Sequence, residues 1–167
     1  MDAVNIYNNI NDVADYVILY AKADEDISLS NLKLQKLLYY IQAWSYGIKE
    51  RPLFDGIFQA WVHGPVNPEI FTRFKQKDKT LYSEITKSDV INKNPKIPQE
   101  DCEHIELVLN SYLKYSGADL ERISHAETPW QDARRGYGPW ERCENEITPT
   151  SMKEFYGSKW KQIQASS

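Results

Sequence analysis

The chain has 167 residues, with 20 Lys and Arg against 24 Asp and Glu, a net charge of −4 and a pI near 5.4. That is the size of one ordinary domain able to bury one core, and an acidic balance argues against a dedicated nucleic-acid-binding domain, which carries a basic face and a high pI. No apolar run approaches the ~20 residues needed to cross a bilayer, and the polar, acidic opening MDAVNIYNNINDVADYV lacks the form of a secretory signal.

In chain order, Ile10, Val13, Ala14, Val17, Ile18 and Ala21 make one apolar stripe at helical period, with Asn and Asp upstream to cap it. A charged turn over Ala23 to Ile27 breaks the pattern. Ser30 then reads as the N-cap of a second helix whose inward stripe is Leu34, Leu37, Leu38, Ile41 and Trp44, with Gly47 as its stop. Leu32, Tyr39 and Tyr40 widen its apolar surface beyond one face, which predicts a central helix packed by several neighbours.

Pro52 closes that region. Asp55-Gly56 is a turn signal, and the alternation of Phe58, Ala60 and Val62 with Gln59 and Trp61 predicts a short strand or hairpin stopped by Gly64-Pro65. Asn67 caps the next helix, with Pro68 at its first position and Ile70, Phe71 and Phe74 facing inward. Residues 76–97 read as a loop, with room for a short strand, anchored by Leu81, Tyr82 and Ile85. Arg73, Lys75, Lys77 and Lys79 read as a solvated surface. Ile105, Val108, Leu109, Tyr112 and Leu113 mark a further helix, with Ile97 stapling its start. Ser116 and Asp119 form a capping box for a helix carrying Leu120 and Ile123. Thr128-Pro129 starts a short helix that ends near Gly136. A last helix from about Thr148 carries Met152, Phe155 and Tyr156, followed by a polar tail over residues 161–167. The expected fold is mainly α: a single compact helical domain over 1–167, its core at about 8–157, with a small β-hairpin or short sheet near residues 53–63.

Residues that could carry chemistry are few. His63 stands at a strand-to-helix turn, where it can act as a general base or hold the turn through a backbone bond; a lone His beside Gly-Pro favours the second reading. His125 has Ser124, Glu127 and Asp132 nearby, and His104 reads as exposed. No G-x-S-x-G, H-E-x-x-H or glycine-rich phosphate loop occurs, so an enzyme using His63 or His125 is the weaker expectation. Cys102 and Cys143 stand apart, with no His at zinc-ligand spacing, so they read as reduced cytoplasmic thiols, and neither a metal site nor a cofactor is expected. Trp130 and Arg134, four apart on one helix face, read either as a buried Trp with Arg stacked over it or as an anchor for a partner.

Three stretches, NLKLQKLLYYIQAWSYG (31–47), PLFDGIFQAWVHGPVNPEIF (52–71) and ISHAETPWQDAR (123–134), together resemble the Panacea domain, the SocA-like antitoxin family, over about residues 8 to 157. The matching positions are Leu34, Gln35, Lys36, Leu37, Tyr39, Trp61, His63, Gly64, Pro65, Val66, His125, Pro129, Trp130 and Arg134. The resemblance implies a small helical protein, typical of prophages and other mobile elements, that neutralises a toxin encoded nearby by direct binding. A proteolytic adaptor delivering a client to a ClpXP-type protease and a prophage regulator of a host protein are the alternatives it implies; no DNA-binding appendix is visible. A family that meets many different toxins shares its scaffold, so the matching residues are expected to be structural, with His63 and the His125–Arg134 box meeting to pin the second helix.

Overall fold

The computed structural model describes residues 7–167; the first six residues, the start of the opening segment read above, lie outside that range. A two-residue strand, β1 (Asn8–Asn9), runs into α1 (Ile10–Ala21), whose first free N–H is met when Asn11 N donates to Asn9 Oδ1 at 2.8 Å. Every residue of the predicted stripe on α1 is buried. The chain then enters α2 (Asn31–Lys49), capped as expected by Ser30, whose Oγ accepts from Lys33 N at 3.1 Å. Leu32, Leu34, Leu37, Leu38, Tyr39, Tyr40, Ile41 and Ala43 are all buried, so α2 has no solvent face along most of its length and forms the axis of the fold.

Gly47 does not stop this helix. α2 runs on to Lys49 and ends at Glu50, which takes the left-handed conformation at φ 57°. The glycine serves packing: a Cβ there would sit 2.7 Å from the carbonyl carbon of Tyr156 on the last helix, α7 (Pro149–Ala165). The two backbones cross at the Gly47–Gly157 contact, closer than any side chain permits.

The β region differs in detail from the alternation reading. β2 (Phe54–Asp55) pairs in parallel with β1, so Asp55-Gly56 is not a hairpin turn. The hairpin lies one step later: β3 (Phe58–Trp61) turns at Val62 and His63 into β4 (Gly64–Val66), in the register Gln59 to Val66, Ala60 to Pro65 and Trp61 to Gly64. Gly64-Pro65 therefore builds the returning strand instead of ending the element. Proline is tolerated because β4 is an edge of the sheet, where a missing N–H costs no ladder bond. On its other side β3 pairs with β5 (Glu146–Ile147), a strand hidden from sequence in a polar stretch.

Asn67 caps α3 (Pro68–Lys75), accepting from Ile70 N at 2.9 Å. In the connection that follows, Ile85 is buried and Leu81 half-buried, but Tyr82 is 68% exposed, its ring edge-on to His63 at 6.2 Å and outside the core. A single bridge between Ser30 and Glu84 and a 3₁₀ turn over Lys87–Asp89 organise the segment. Then come α4 (Gln99–Tyr112), α5 (Gly117–His125) and α6 (Thr128–Ala133). The Ser116–Asp119 capping box is present. α6 ends at Ala133, short of Gly136, and α7 continues through residues 161–165, past the point where the tail was expected.

Two further expectations are corrected. His104 is buried, because it faces α2 and its Nε2 lies 2.9 Å from the Ile41 carbonyl; burial pushes its pKa below the usual histidine value. Arg73 is not part of a solvated basic surface: it is 8% exposed and paired with the buried Asp15. α4, α5 and α7 pack around α2, with α1 and α3 closing the remaining side, so the fold is mainly α with two small sheets.

Candidate functional site

The three motif stretches meet at one junction, where the β3–β4 hairpin lies between α2, α5 and α6. Gln35 and Lys36 leave α2 on this side. Gln35 clamps the backbone of Asn67 in both directions, donating from Nε2 to the carbonyl at 3.1 Å and accepting from the amide at 2.8 Å. That fixes the start of α3. Lys36 is wholly buried and donates from Nζ to the Pro65 carbonyl at 3.0 Å. Burial pulls its pKa down to about 7, and the charge of Glu121 opposes the fall only in part.

Gly64 makes room for this lysine. Its φ of +101° favours glycine, and a Cβ there would lie 2.6 Å from Lys36 Cε. Two more carbonyls of the same hairpin are taken by the third motif stretch. Trp130 Nε1 donates to Trp61 O at 2.9 Å, and Arg134 donates to Ala60 O at 2.9 Å. Arg134 also donates to Gly138 O at 2.8 Å and Glu141 O at 2.5 Å, which braces the loop after α6. Its guanidinium lies 5.1 Å from the Trp130 ring centroid, and the His125 ring stacks on the same indole at 4.0 Å. One strand pair is thus held by Lys36, Trp130 and Arg134, each donating to a backbone carbonyl of the hairpin.

The remaining motif residues fall around this arrangement. Leu34, Leu37 and Tyr39 lie in the core, and Pro65, Val66 and Pro129 are buried. Trp61 is half-buried, donates to Gln59 Oε1 at 2.8 Å and packs edge-on against Phe71 at 4.9 Å. His63 sits at the hairpin turn with Nδ1 2.8 Å from Glu121 Oε1 on α5.

The candidate catalytic partners do not converge on either histidine. Ser124 Oγ donates to the Glu121 carbonyl, and Asp132 pairs with Arg135. Among the described residues, His125 Nε2 is buried with no hydrogen-bond partner, and burial lowers its pKa. Glu127 occupies the N-cap position of α6 but turns its carboxylate inward, where Tyr40 OH donates at 2.7 Å and Tyr156 OH at 2.9 Å. Burial raises its pKa, with the two phenols pulling the other way. Nothing in the sequence singled out this Glu127–Tyr40–Tyr156 cluster, since a carboxylate one residue before Thr-Pro reads as an ordinary cap. The same holds for Asp15, which falls outside the apolar stripe of α1 and is buried through its pairing with Arg73. Among the described residues no group of three or more His, Cys, Asp or Glu is placed to hold a metal ion, and no helix is long and apolar enough to cross a membrane.

Comparison with known proteins agrees with the motif placement. The family described as Antitoxin SocA-like, Panacea domain, matches residues 34–131, which runs from within α2 through most of α6 and takes in the β3–β4 hairpin, with Arg134 just past its end. Antitoxin SocA of Caulobacter vibrioides is 35% identical over 129 residues, covering 73% of this chain and 69% of that protein. No solved structure matches. By both measures the chain belongs to the SocA-like antitoxin family of Panacea-domain proteins.

Proposed function

We propose that this protein is an antitoxin that neutralises a protein toxin, encoded close to its own gene, by binding it directly and without chemistry of its own. The observation that carries this reading is the likeness to Antitoxin SocA across more than two thirds of both chains. The geometry supports it from another direction. Lys36, Trp130 and Arg134 spend their donors on the hairpin, and Gln35 spends both ends of its amide on Asn67. A residue set shared by relatives that meet different toxins is expected to do this, leaving the partner to surfaces outside it. Exposed large apolar side chains lie away from the junction, Leu107 and Ile163 among them.

The test is co-expression with each adjacent open reading frame. One neighbour should arrest growth alone, and this protein should restore growth and co-purify with it. If no neighbour is toxic, or rescue occurs without a complex, direct neutralisation is the wrong reading.

A further inference from the structure

α4 and α7 both pack on α2, and a groove of about 360 Å³ remains between them. Trp44 and Ile48 of α2 form its floor, Leu107 and Tyr112 one wall, and Trp160 and Ile163 the other. No charged side chain lines it. The inward stripe of α7 passes through the buried Met152 and Tyr156 and continues at helical spacing to Ile163, which is 52% exposed; opposite, Leu107 is 54% exposed. The core face of α7 thus outruns the protein that covers it. Where an apolar trough lies between two helices over a third, the shape that fills it is another helix.

The rims differ in charge. On α4 the exposed Glu103 stands four residues before Leu107, on the outer edge of the same face, and it takes part in no ion pair among the described residues. On α7 the exposed Lys159 stands four residues before Ile163, beside Trp44.

The geometry points to this groove as the docking site for an amphipathic helix of the toxin, its apolar stripe laid over Trp44 and Ile48, with basic side chains facing α4 and acidic ones facing α7. This inference rests on the antitoxin reading for the identity of the partner. The groove itself is tested without it.

A displayed library of amphipathic helices, apolar at i, i+3, i+4 and i+7 with randomised flanks, is selected on the full chain. The expected clones carry Lys or Arg on one flank and Asp or Glu on the other, and they bind the Leu107→Glu/Ile163→Glu variant at least about tenfold more weakly. Selection on Glu103→Lys, a substitution at an exposed position, should replace the basic flank with an acidic one. Absence of enriched clones, clones indifferent to the double variant, or flanks unchanged by Glu103→Lys overturns the proposal. With a neighbouring toxin in hand, the double variant should lose rescue at unchanged melting temperature while Trp140→Ala keeps it. Rescue retained by the double variant overturns the groove and leaves the antitoxin reading standing. A wild type that rescues from no neighbour counts against the antitoxin reading, and the helix selection still decides the groove.

Discussion

Lys36 and Arg73 are both buried basic side chains, one under the hairpin and the other between α1 and α3, and the fold accommodates them in opposite ways. Arg73 keeps its charge. It donates to Asp15 Oδ1 and to the Asp89 carbonyl, and its second nitrogen reaches Asn11 Oδ1 at 3.3 Å. Asp15 also accepts from the amides of Ile91 and Asn92, so one carboxylate ties α1, α3 and the segment after the 3₁₀ turn together. Lys36 has one carbonyl and no carboxylate in contact. A guanidinium cannot shed its proton inside a protein, so it must be given an anion; an amine can, and Lys36 is held where losing the proton is the cheaper course.

The largest effect is expected where the ion pair is broken. Asp15→Ala leaves Arg73 charged and uncompensated and strands two amides, which should cost about 3–5 kcal/mol of unfolding free energy in urea. A loss under about 1 kcal/mol would mean that water reaches Arg73 in solution, and the contrast with Lys36 would dissolve.

Lys36 is tested through pH. Burial takes its pKa from 10.5 to about 7 in the folded chain. Between those values the unfolded state holds the extra proton, so stability rises with pH; the penalty is fully present below about pH 7 and is gone above the unfolded value. The unfolding free energy should rise by on the order of 3 kcal/mol from pH 7 to 9.5. Lys36→Met should flatten that rise. An unchanged slope in the variant would assign the pH dependence to other groups.

These two sites also mark how far the sequence could be read. The apolar stripes of α1, α2 and α4 and the caps at Ser30, Asn67 and Ser116 were legible because spacing and a local hydrogen bond decide them. The hairpin was placed a step early because Asp-Gly is a stronger local turn signal than Val-His, and only pairing with distant β1 and β5 overrides it. Arg73 and His104 were read as exposed because a charged or polar residue is buried only when its partner is present, and Asp15 and the Ile41 carbonyl are 58 and 63 residues away. Of the junction, the resemblance picked out the residues, but neither it nor their spacing gave the bonds that Lys36, Trp130 and Arg134 make to one hairpin.

Gly47 measures the same long-range dependence in packing. The sequence offers it as a helix stop; the fold uses it as a crossing point. Gly47→Ala would improve helix propensity by up to about 1 kcal/mol in isolation. Against the Tyr156 backbone it must force α2 and α7 apart, and the net expectation is a loss of about 1–3 kcal/mol. A gain in melting temperature would show that the crossing is loose.

The smallest effects separate the two roles of Glu121, which bonds His63 and lends its charge to Lys36. The His63–Glu121 pair is partly exposed, at 40% and 27% of the side chains, so His63→Ala should cost under about 1 kcal/mol. A wholly unchanged melting temperature would count against His63 as a fastening of the turn. Glu121→Gln can keep a hydrogen bond to His63 but removes the one carboxylate that favours protonated Lys36. At pH 9, where Lys36 is already neutral, Glu121→Gln should therefore lose no more stability than His63→Ala. They should part on the Lys36 step itself: Glu121→Gln lowers its midpoint by a fraction of a pH unit, and His63→Ala, which leaves the carboxylate in place, does not lower it. If both variants move the midpoint alike, Lys36 is responding to a shift of the hairpin and not to the charge on α5.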